Sequence, residues 1–336
     1  MATAKLTPSG NYRCQVYIGI DEEGKKKYKT FTDPDKRRCE RKASEYADQH
    51  RQARSSGTVG YGIESYISLK KAVLSPSTVR GYEVTKRYFF ESHRAFCERR
   101  MASLDKDALQ KLVNDMSKEF KPKTVRNRYA LITAVLEHND IYIPKVHLPE
   151  KVKPDLKIPD TNDIKNILKE VKGTEMEIPV LLGAYAGMRR SEICALSIDD
   201  IKGNTIHVHH ALVPNSDNKY VLKSTKTLDG DRYIPVKKEI VDLIRKQGYV
   251  TEFKNPNIIT SRFEHIVRRA GCPGVRFHDL RHWHASFLHS KNIPDVIIKS
   301  RCGWRSDSVM KDVYRHELES ERHKWNIELN KKLPKI

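Results

Sequence analysis

VRFHDLRHWHASFLHS (Val275–Ser290), KNIPDVIIKSRCGW (Lys291–Trp304) and RSDSVMKDVY (Arg305–Tyr314) form the stretch that decides how this chain folds and works. It gathers His278, Arg281, His282, Trp304 and Tyr314 into about forty residues. A helix starting near Phe277 places His278, Arg281 and His282 at i, i+3 and i+4, on one face. Pro294 and Gly303 then punctuate the chain and bring it to a tryptophan and, further on, to a tyrosine. Two cationic or proton-carrying groups on one helix face, followed by a lone tyrosine, suit a phosphate better than a carbonyl or a metal.

The rest of the chain fits a polyanionic partner. Its 336 residues allow two or three domains with at least one sizeable core. The formal net charge is +20, and the 63 Lys and Arg residues run through the whole length rather than forming a tail. A basic surface this extensive points to nucleic acid, with solvated lysine faces as the bland alternative. Six cysteines lie far apart with no C-x-x-C pair, which fits neither a disulfide framework nor a zinc ribbon and favours a reducing compartment. No apolar run reaches membrane-spanning length, and MATAKLTPSGNYR at the start lacks a signal-peptide core.

Upstream of the deciding stretch, TNDIKNILKEVKG reads as a capped helix and MEIPVLLGAYAGMRRSEICALSIDDI as the central apolar one. Leu222 to Val236 alternates around Asp-Gly-Asp, which predicts a basic hairpin with Lys226 just before its turn. LPEKVKPDLKIPD (Leu148–Asp160), with three prolines, marks a boundary. Residues 63–147 read as nearly all helix, in four or five short segments. Among them SLDKDALQKLVNDMSKEF has Ser103 as its expected cap, and KPKTVRNRYALITAVLEHND carries Lys121, Lys123, Arg126 and Arg128 in its first turns. Basic N-terminal turns suit a phosphate backbone, whereas Tyr82, Tyr88, Phe89 and Phe96 are expected in the core. ARSSGTVGYG (Ala53–Gly62) reads as a linker. Before it, YRCQVYIGI (Tyr12–Ile20), the turn DEEG and KKKYKTF (Lys25–Phe31) predict a hairpin followed by a polar helix. Lys25, Lys26, Lys27 and Lys29 on the return strand suit a DNA groove, and serve equally as edge-strand protection against aggregation.

The charged groups near the end form a chemical set. Arg189 closes an apolar helix with Glu192 three residues on, and a charged arginine there needs a partner or an anion. Two arginines can fork onto the non-bridging oxygens of one phosphodiester and stabilise charge developing on phosphorus. A tyrosine needs such cations and a base to become a nucleophile, and a leaving oxygen needs a proton from a lysine or histidine.

Ala186–Glu192 (AGMRRSE), the lysine in STKT (Ser224–Thr227), HDLRH (His278–His282), CGW (Cys302–Trp304) and Tyr314 together resemble the tyrosine recombinase family, in its phage and conjugative-transposon integrase branch. The resemblance covers the whole length. It implies a multidomain, mainly α fold with small β elements. Residues 1–55 would be an arm-type DNA-binding module of a small sheet plus helix, and residues 63–147 a helical core-binding (SAM-like) bundle. Residues 160–336 would be a mixed α+β catalytic domain with a C-terminal tail.

The resemblance also implies roles. Tyr314 attacks a DNA phosphate, forming a 3′-phosphotyrosyl link and freeing a 5′-hydroxyl; Arg189 and Arg281 hold the scissile phosphate. Lys226 is the general acid, with Lys223 on the same strand as the alternative. His278 moves a proton at the nucleophile, and Trp304 stands where most members carry a second histidine, so it can bond the phosphate but cannot shuttle a proton. Glu192 and His282 support these groups, and no cofactor, neither ATP nor a metal, is needed. The implied partners are double-stranded DNA at core-type and arm-type attachment sites, three further copies in a homotetramer on synapsed DNA, and accessory DNA-bending and directionality proteins, in the cytoplasm of a bacterial host at its nucleoid. Two other classes stay open on the residues: a DNA-binding regulator on the same fold, and a zinc hydrolase built on His278 and His282 with Asp279 between them.

Overall fold

The computed structural model describes residues 3–20, 26–55, 57–152, 158–224 and 230–304, with side chains left undescribed at 18–20, 26–27 and 48–55. Two compact units emerge: residues 1–74 with 81–152, and residues 153–336 with 75–80. Lys25, Lys226, Tyr314 and the tail after it lie outside the described residues.

In the first unit, β1 (Lys5–Leu6), β2 (Tyr12–Ile20) and β3 (Lys26–Asp33) form an antiparallel sheet in that order, with Tyr12 opposite Asp33 and Ile20 opposite Lys26. The hairpin is the one its alternation predicts; β1 is an addition too short to leave a pattern. Helix α1 (Lys36–Ser55) closes the sheet's inner face through Cys14, Cys39 and Ala43, with Phe31 and Val16 packed against them. The Cys39 thiol donates to the Tyr12 and Phe31 carbonyls at 3.2 and 3.4 Å, so this cysteine is a packing residue.

The helices α2 (Val59–Lys70), α3 (Pro76–Ser92), α4 (Arg94–Glu98), α5 (Lys106–Glu119) and α6 (Pro122–His138) follow. The expected linker over 53–62 is corrected here. Helix α1 runs to Ser55, Thr58 caps α2, and Val59, Gly60 and Gly62 are buried. A Cβ on Gly62 would lie 2.6 Å from the Met101 sulfur and 2.9 Å from Val135 Cγ1, so this glycine allows two elements to approach closely and does not loosen the chain. The expected cap Ser103 is also corrected: Asp105 caps α5, accepting from the Ala108 N–H at 2.8 Å, because Ser103 is taken up in a preceding 3-10 turn. Phe89 is fully buried, while Tyr82, Tyr88 and Phe96 are half-buried at the edge of the core.

The second unit begins with α7 (Thr161–Val171), whose Asp160 and Asp163 form a reciprocal capping box. Then come α8 (Glu177–Tyr185) and the single turn α9 (Arg190–Ile193), followed by β4 (Ile201–Lys202), β5 (Thr205–Val208), β6 (His210–Pro214), β7 (Tyr220–Ser224) and β8 (Arg232–Pro235). Among the described residues the predicted hairpin across Asp-Gly-Asp does not form. β7 pairs with β6, while β8 pairs with β5 in a separate sheet ordered β4-β5-β8. Both pairings satisfy the same alternation, and Ile206, Val208 and Ile234 join the buried core as a set.

Helices α10 (Lys238–Gln247), α11 (Pro256–Arg269), α12 (Phe277–Ser290) and α13 (Asp295–Cys302) complete the unit. Helix α12 starts where the spacing predicts, and Pro294 and Gly303 bound α13. Helix α8 is apolar all round and packs on α12, α7 and α10 at the centre of this core. Among the described residues no helix is long and apolar enough to cross a membrane.

Candidate active site

The C-terminal end of α13 is where the charged side chains of this unit converge. A helix leaves its last carbonyls without intrahelical donors, and its negative dipole end favours cations. Here three consecutive carbonyls each receive a different arginine. Arg232 Nε donates to Arg301 O at 3.0 Å, Arg281 Nη2 donates to Cys302 O, and Arg189 Nη2 donates to Gly303 O at 3.0 Å.

Gly303 takes the left-handed conformation (φ 60°), its N–H bonds to Ser300 O and the Trp304 N–H to Lys299 O. That is a Schellman ending, and it fixes where Trp304 goes. The indole is 7% exposed, packed with Ala285, Ile298 and Cys302, and the Arg281 guanidinium lies 5.2 Å from its ring centre.

Arg189 arrives from the other side. After α8 the chain turns at Gly187 (φ 63°), and Arg189 becomes the residue before α9. Its backbone N–H donates to Glu192 Oε2 at 2.9 Å and its Nη1 to Oε1 at 2.6 Å. Its side chain keeps 36% exposure. Arg281 has none: Nη1 donates to Gly187 O at 2.6 Å, while Nε has no hydrogen-bond partner among the described residues. Burial, then the Arg189 charge, bring its pKa down to about 9, so it stays charged at neutral pH.

Glu192 is the anion beneath this set. Burial raises its pKa, but Arg232, Arg189 and Arg281 outweigh that and hold the carboxyl at about 2. His278 keeps an exposed edge over a tightly packed base. Desolvation, then His282, Arg281 and Arg189, push its pKa down to about 4, so it is a neutral imidazole near pH 7. Its ring meets that of His282 edge-on, with centroids 4.8 Å apart, and His282 itself is buried. Among the described residues no three His, Cys, Asp or Glu side chains converge as a metal site would need.

Arg189, Arg281, Trp304, His278, Glu192 and His282 are thus brought into one neighbourhood. Lys223 sits half-buried on β7 opposite Ala211. In the first unit, Lys27 lies on β3, and Lys121 and Lys123 are exposed at the start of α6. Arg126 is turned to the Pro149 carbonyl (Nε donating at 2.8 Å), and Arg128 is held between the Tyr88 and Phe120 rings at 3.6 and 3.8 Å.

Sequence reasoning missed three residues. Arg232 binds both oxygens of Glu192. Arg301 donates to the Tyr185 and Pro235 carbonyls and, through Nε, to His284 Nε2 at 3.1 Å. His284 Nδ1 in turn donates to Ala184 O at 2.9 Å. A ring that donates from one nitrogen and accepts an arginine N–H on the other must be neutral. Burial, then Arg301, accordingly set its pKa near 4. The signal available was the charge itself, since an arginine inside an apolar strand or helix needs a fixed partner.

This arrangement gathers fixed positive charge, one indole and one neutral imidazole, which is a setting for an anionic centre with a proton acceptor beside it. The phage integrase family model matches residues 160–321, the span that holds every residue of this neighbourhood. A tyrosine recombinase XerC-like protein of Caldanaerobacter subterraneus subsp. tengcongensis is 22% identical over 93% of each chain. The fold is similar to the Tn1549 transposon integrase, solved with transposon right-end DNA (TM-score 0.64, 16% identity, 78% of this chain and 99% of that one). It is also similar to lambda integrase, solved as a tetramer on a Holliday junction (TM-score 0.59, 14% identity, 93% and 94%). With the motifs, the matched span and the fold in agreement, residues 160–321 form a phage integrase family domain, and the protein is a tyrosine recombinase.

Proposed function

We propose that this enzyme performs site-specific DNA recombination, integrating and excising a mobile element, with Tyr314 as nucleophile. The observation that carries this is the convergence of Arg189 and Arg281, from α9's start and α12, onto adjacent carbonyls beside Trp304. A phosphodiester set against them would meet the exposed side of the Arg189 fork, backed by the buried Arg281 charge and the Trp304 ring.

In the reaction the Tyr314 phenolic oxygen attacks phosphorus and passes its proton to His278, neutral and so able to accept it. The bond between phosphorus and the 5′-oxygen breaks, and Lys226 protonates that oxygen. The strand's 3′ side is left on the tyrosine. Attack by a partner strand's 5′-hydroxyl reverses each transfer and restores the phosphodiester, so the bond energy is kept and no cofactor is consumed. Arg281, pinned by two carbonyls, supplies charge that needs no reorganisation in the transition state. Trp304 donates a hydrogen bond and cannot carry a proton.

The same reading assigns DNA contact to the other parts. Residues 1–55 take an arm-type site through Lys25 and Lys27 on the hairpin. Residues 63–147 clasp the core site, with Lys121 and Lys123 free to meet phosphates and Arg126 placed by its Pro149 bond. Four copies assemble on two duplexes, as lambda integrase does on its junction. Accessory bending and directionality proteins assist, in the cytoplasm of a bacterial host at the nucleoid.

Covalent trapping tests the reading. A nicked duplex, selected by the wild-type protein from a random library, is incubated with it and denatured in SDS. An adduct with wild type that is absent with Tyr314→Phe is expected. No adduct on a duplex the protein binds would make the chain a DNA-binding regulator instead.

A further inference from the structure

Next to Arg189 lies a cavity of about 410 Å³, lined by Arg189, Arg190, Thr260, Arg276 and His278 among others. Its three guanidinium groups differ in how their charge is met. Arg189 shares the Glu192 carboxylate. Arg276 is held on both oxygens of Asp279, with Nε donating at 3.0 Å and Nη2 at 2.7 Å. Arg190 has no such partner: among the described residues its hydrogen bond goes to the neutral Thr260 hydroxyl, and it pairs with no carboxylate. It is half-buried at the first position of α9, so its charge is partly desolvated and faces the cavity.

A half-buried cation without an anion is unfavourable unless a ligand supplies one. The cavity also abuts Arg189, so a polyanion held there by one phosphate carries others past Arg190. The Thr260 hydroxyl can turn to donate to the same anion.

We propose that Arg190, with Thr260, seats a second phosphate of the DNA strand being cut, flanking the one held by Arg189 and Arg281. This rests on the strand-cleavage reading for the identity of the strand, and on the cavity alone for the existence of the seat. The seat fixes register. Rotation about a single gripped phosphate leaves the attacking oxygen out of line, whereas two gripped phosphates define the strand's direction across the site.

The experiment is a cycle on the selected duplex, with one phosphate at a time replaced by an uncharged methylphosphonate. Binding is measured for wild type and Arg190→Ala, and the SDS-resistant adduct is scored in parallel. A single flanking replacement should weaken wild-type binding about tenfold, the size expected for one charged hydrogen bond. Arg190→Ala should weaken binding to unmodified DNA by a similar factor and lose nothing further on that one modified duplex. Equal binding of wild type and Arg190→Ala to unmodified DNA would overturn the proposal, as would penalties that multiply at every position. Should the alanine variant fail to fold, Arg190→Gln carries the same cycle. Absence of the adduct sinks strand cleavage and leaves the binding cycle to decide the seat; an adduct with multiplying penalties sinks the seat alone.

Discussion

Arg232 and Glu192 form a buried pair, Nη2 to Oε2 at 2.8 Å and Nη1 to Oε1 at 3.2 Å, with side chains 5% and 2% exposed. Arg189 shares the same carboxylate, so Glu192 joins an arginine proposed to touch phosphate to a second, buried one. Arg232→Met leaves Glu192 with one partner fewer and Arg301 O without its donor. Breaking such a pair from one side costs about 3–5 kcal/mol. All three tryptophans, Trp283, Trp304 and Trp325, lie in the second half of the chain. Denaturant unfolding followed by tryptophan fluorescence therefore reports on this unit. A loss below about 1 kcal/mol would show that Glu192 is satisfied without Arg232.

The acid limb of stability should have two stages. An unfolded imidazole takes up a proton from about pH 6.5 downward, while His284 stays neutral in the fold until about pH 4, so stability falls across that window. Glu192 acts lower. Unfolded, it binds a proton near pH 4.5; folded, it refuses one until about pH 2, so its contribution is present above 4.5 and lost towards 2. Each difference corresponds to about 3 kcal/mol. His284→Gln should reduce the slope of the upper stage, to which His278 also contributes, and Glu192→Gln should flatten the lower, seen as changed slopes of unfolding free energy against pH. An unchanged slope in either variant would mean that group does not govern that stage.

Punctuation was the legible part of this chain. The Asp160 box, the start of α12 at Phe277, and Pro294 and Gly303 around α13 are local chemistry, written in the residues that perform it. The site's ordered residues were legible as a set, and the structure brings the described ones together. Two local signals misled. Gly60 and Gly62 read as linker because composition cannot distinguish a glycine that loosens a chain from one that admits a neighbour, Phe90 and Cys97 at Gly60 and Met101 and Val135 at Gly62. The alternation around Asp-Gly-Asp read as one hairpin because alternation sets which face is buried and not which strand is the partner; β8 crosses to β5. The charge of Arg232 and Arg301 was legible, but their partners were not, for another reason. Three of their partners are backbone carbonyls far away in the chain, and a carbonyl leaves no mark in sequence.

His278 has a kinetic signature distinct from a structural one. As the acceptor of the tyrosine proton it should matter to the chemical step and little to binding. His278→Ala should slow adduct formation in a single turnover by about 10²–10⁴-fold. Its affinity for the same duplex should stay within about twofold, because a neutral ring contributes no charge to the phosphate contacts. An unchanged rate would give the proton to another acceptor. A large loss of affinity at unchanged rate would make His278 a DNA contact.

Gly187 is the residue that lets both arginines reach one place. Its carbonyl receives Arg281 Nη1 at 2.6 Å, and its turn starts the segment that delivers Arg189. A Cβ here would lie 2.7 Å from His284 Cδ2 and 3.3 Å from the Cys302 sulfur, at a φ of 63° that side-chain-bearing residues disfavour. The conformational cost alone is about 1–2 kcal/mol. The contact costs more, because His284 cannot swing away: Ala184 O and Arg301 Nε hold it from opposite sides. The strain has to be relieved by moving the Gly187 carbonyl or α13, and either shifts Arg281. Gly187→Ala should therefore lower stability by about 2–4 kcal/mol and reduce adduct formation by more than tenfold under conditions where the variant remains folded. Tryptophan-monitored unfolding and single-turnover trapping separate the two effects. A variant that loses stability but cleaves at the wild-type rate would show that Arg281 does not depend on this turn for its place.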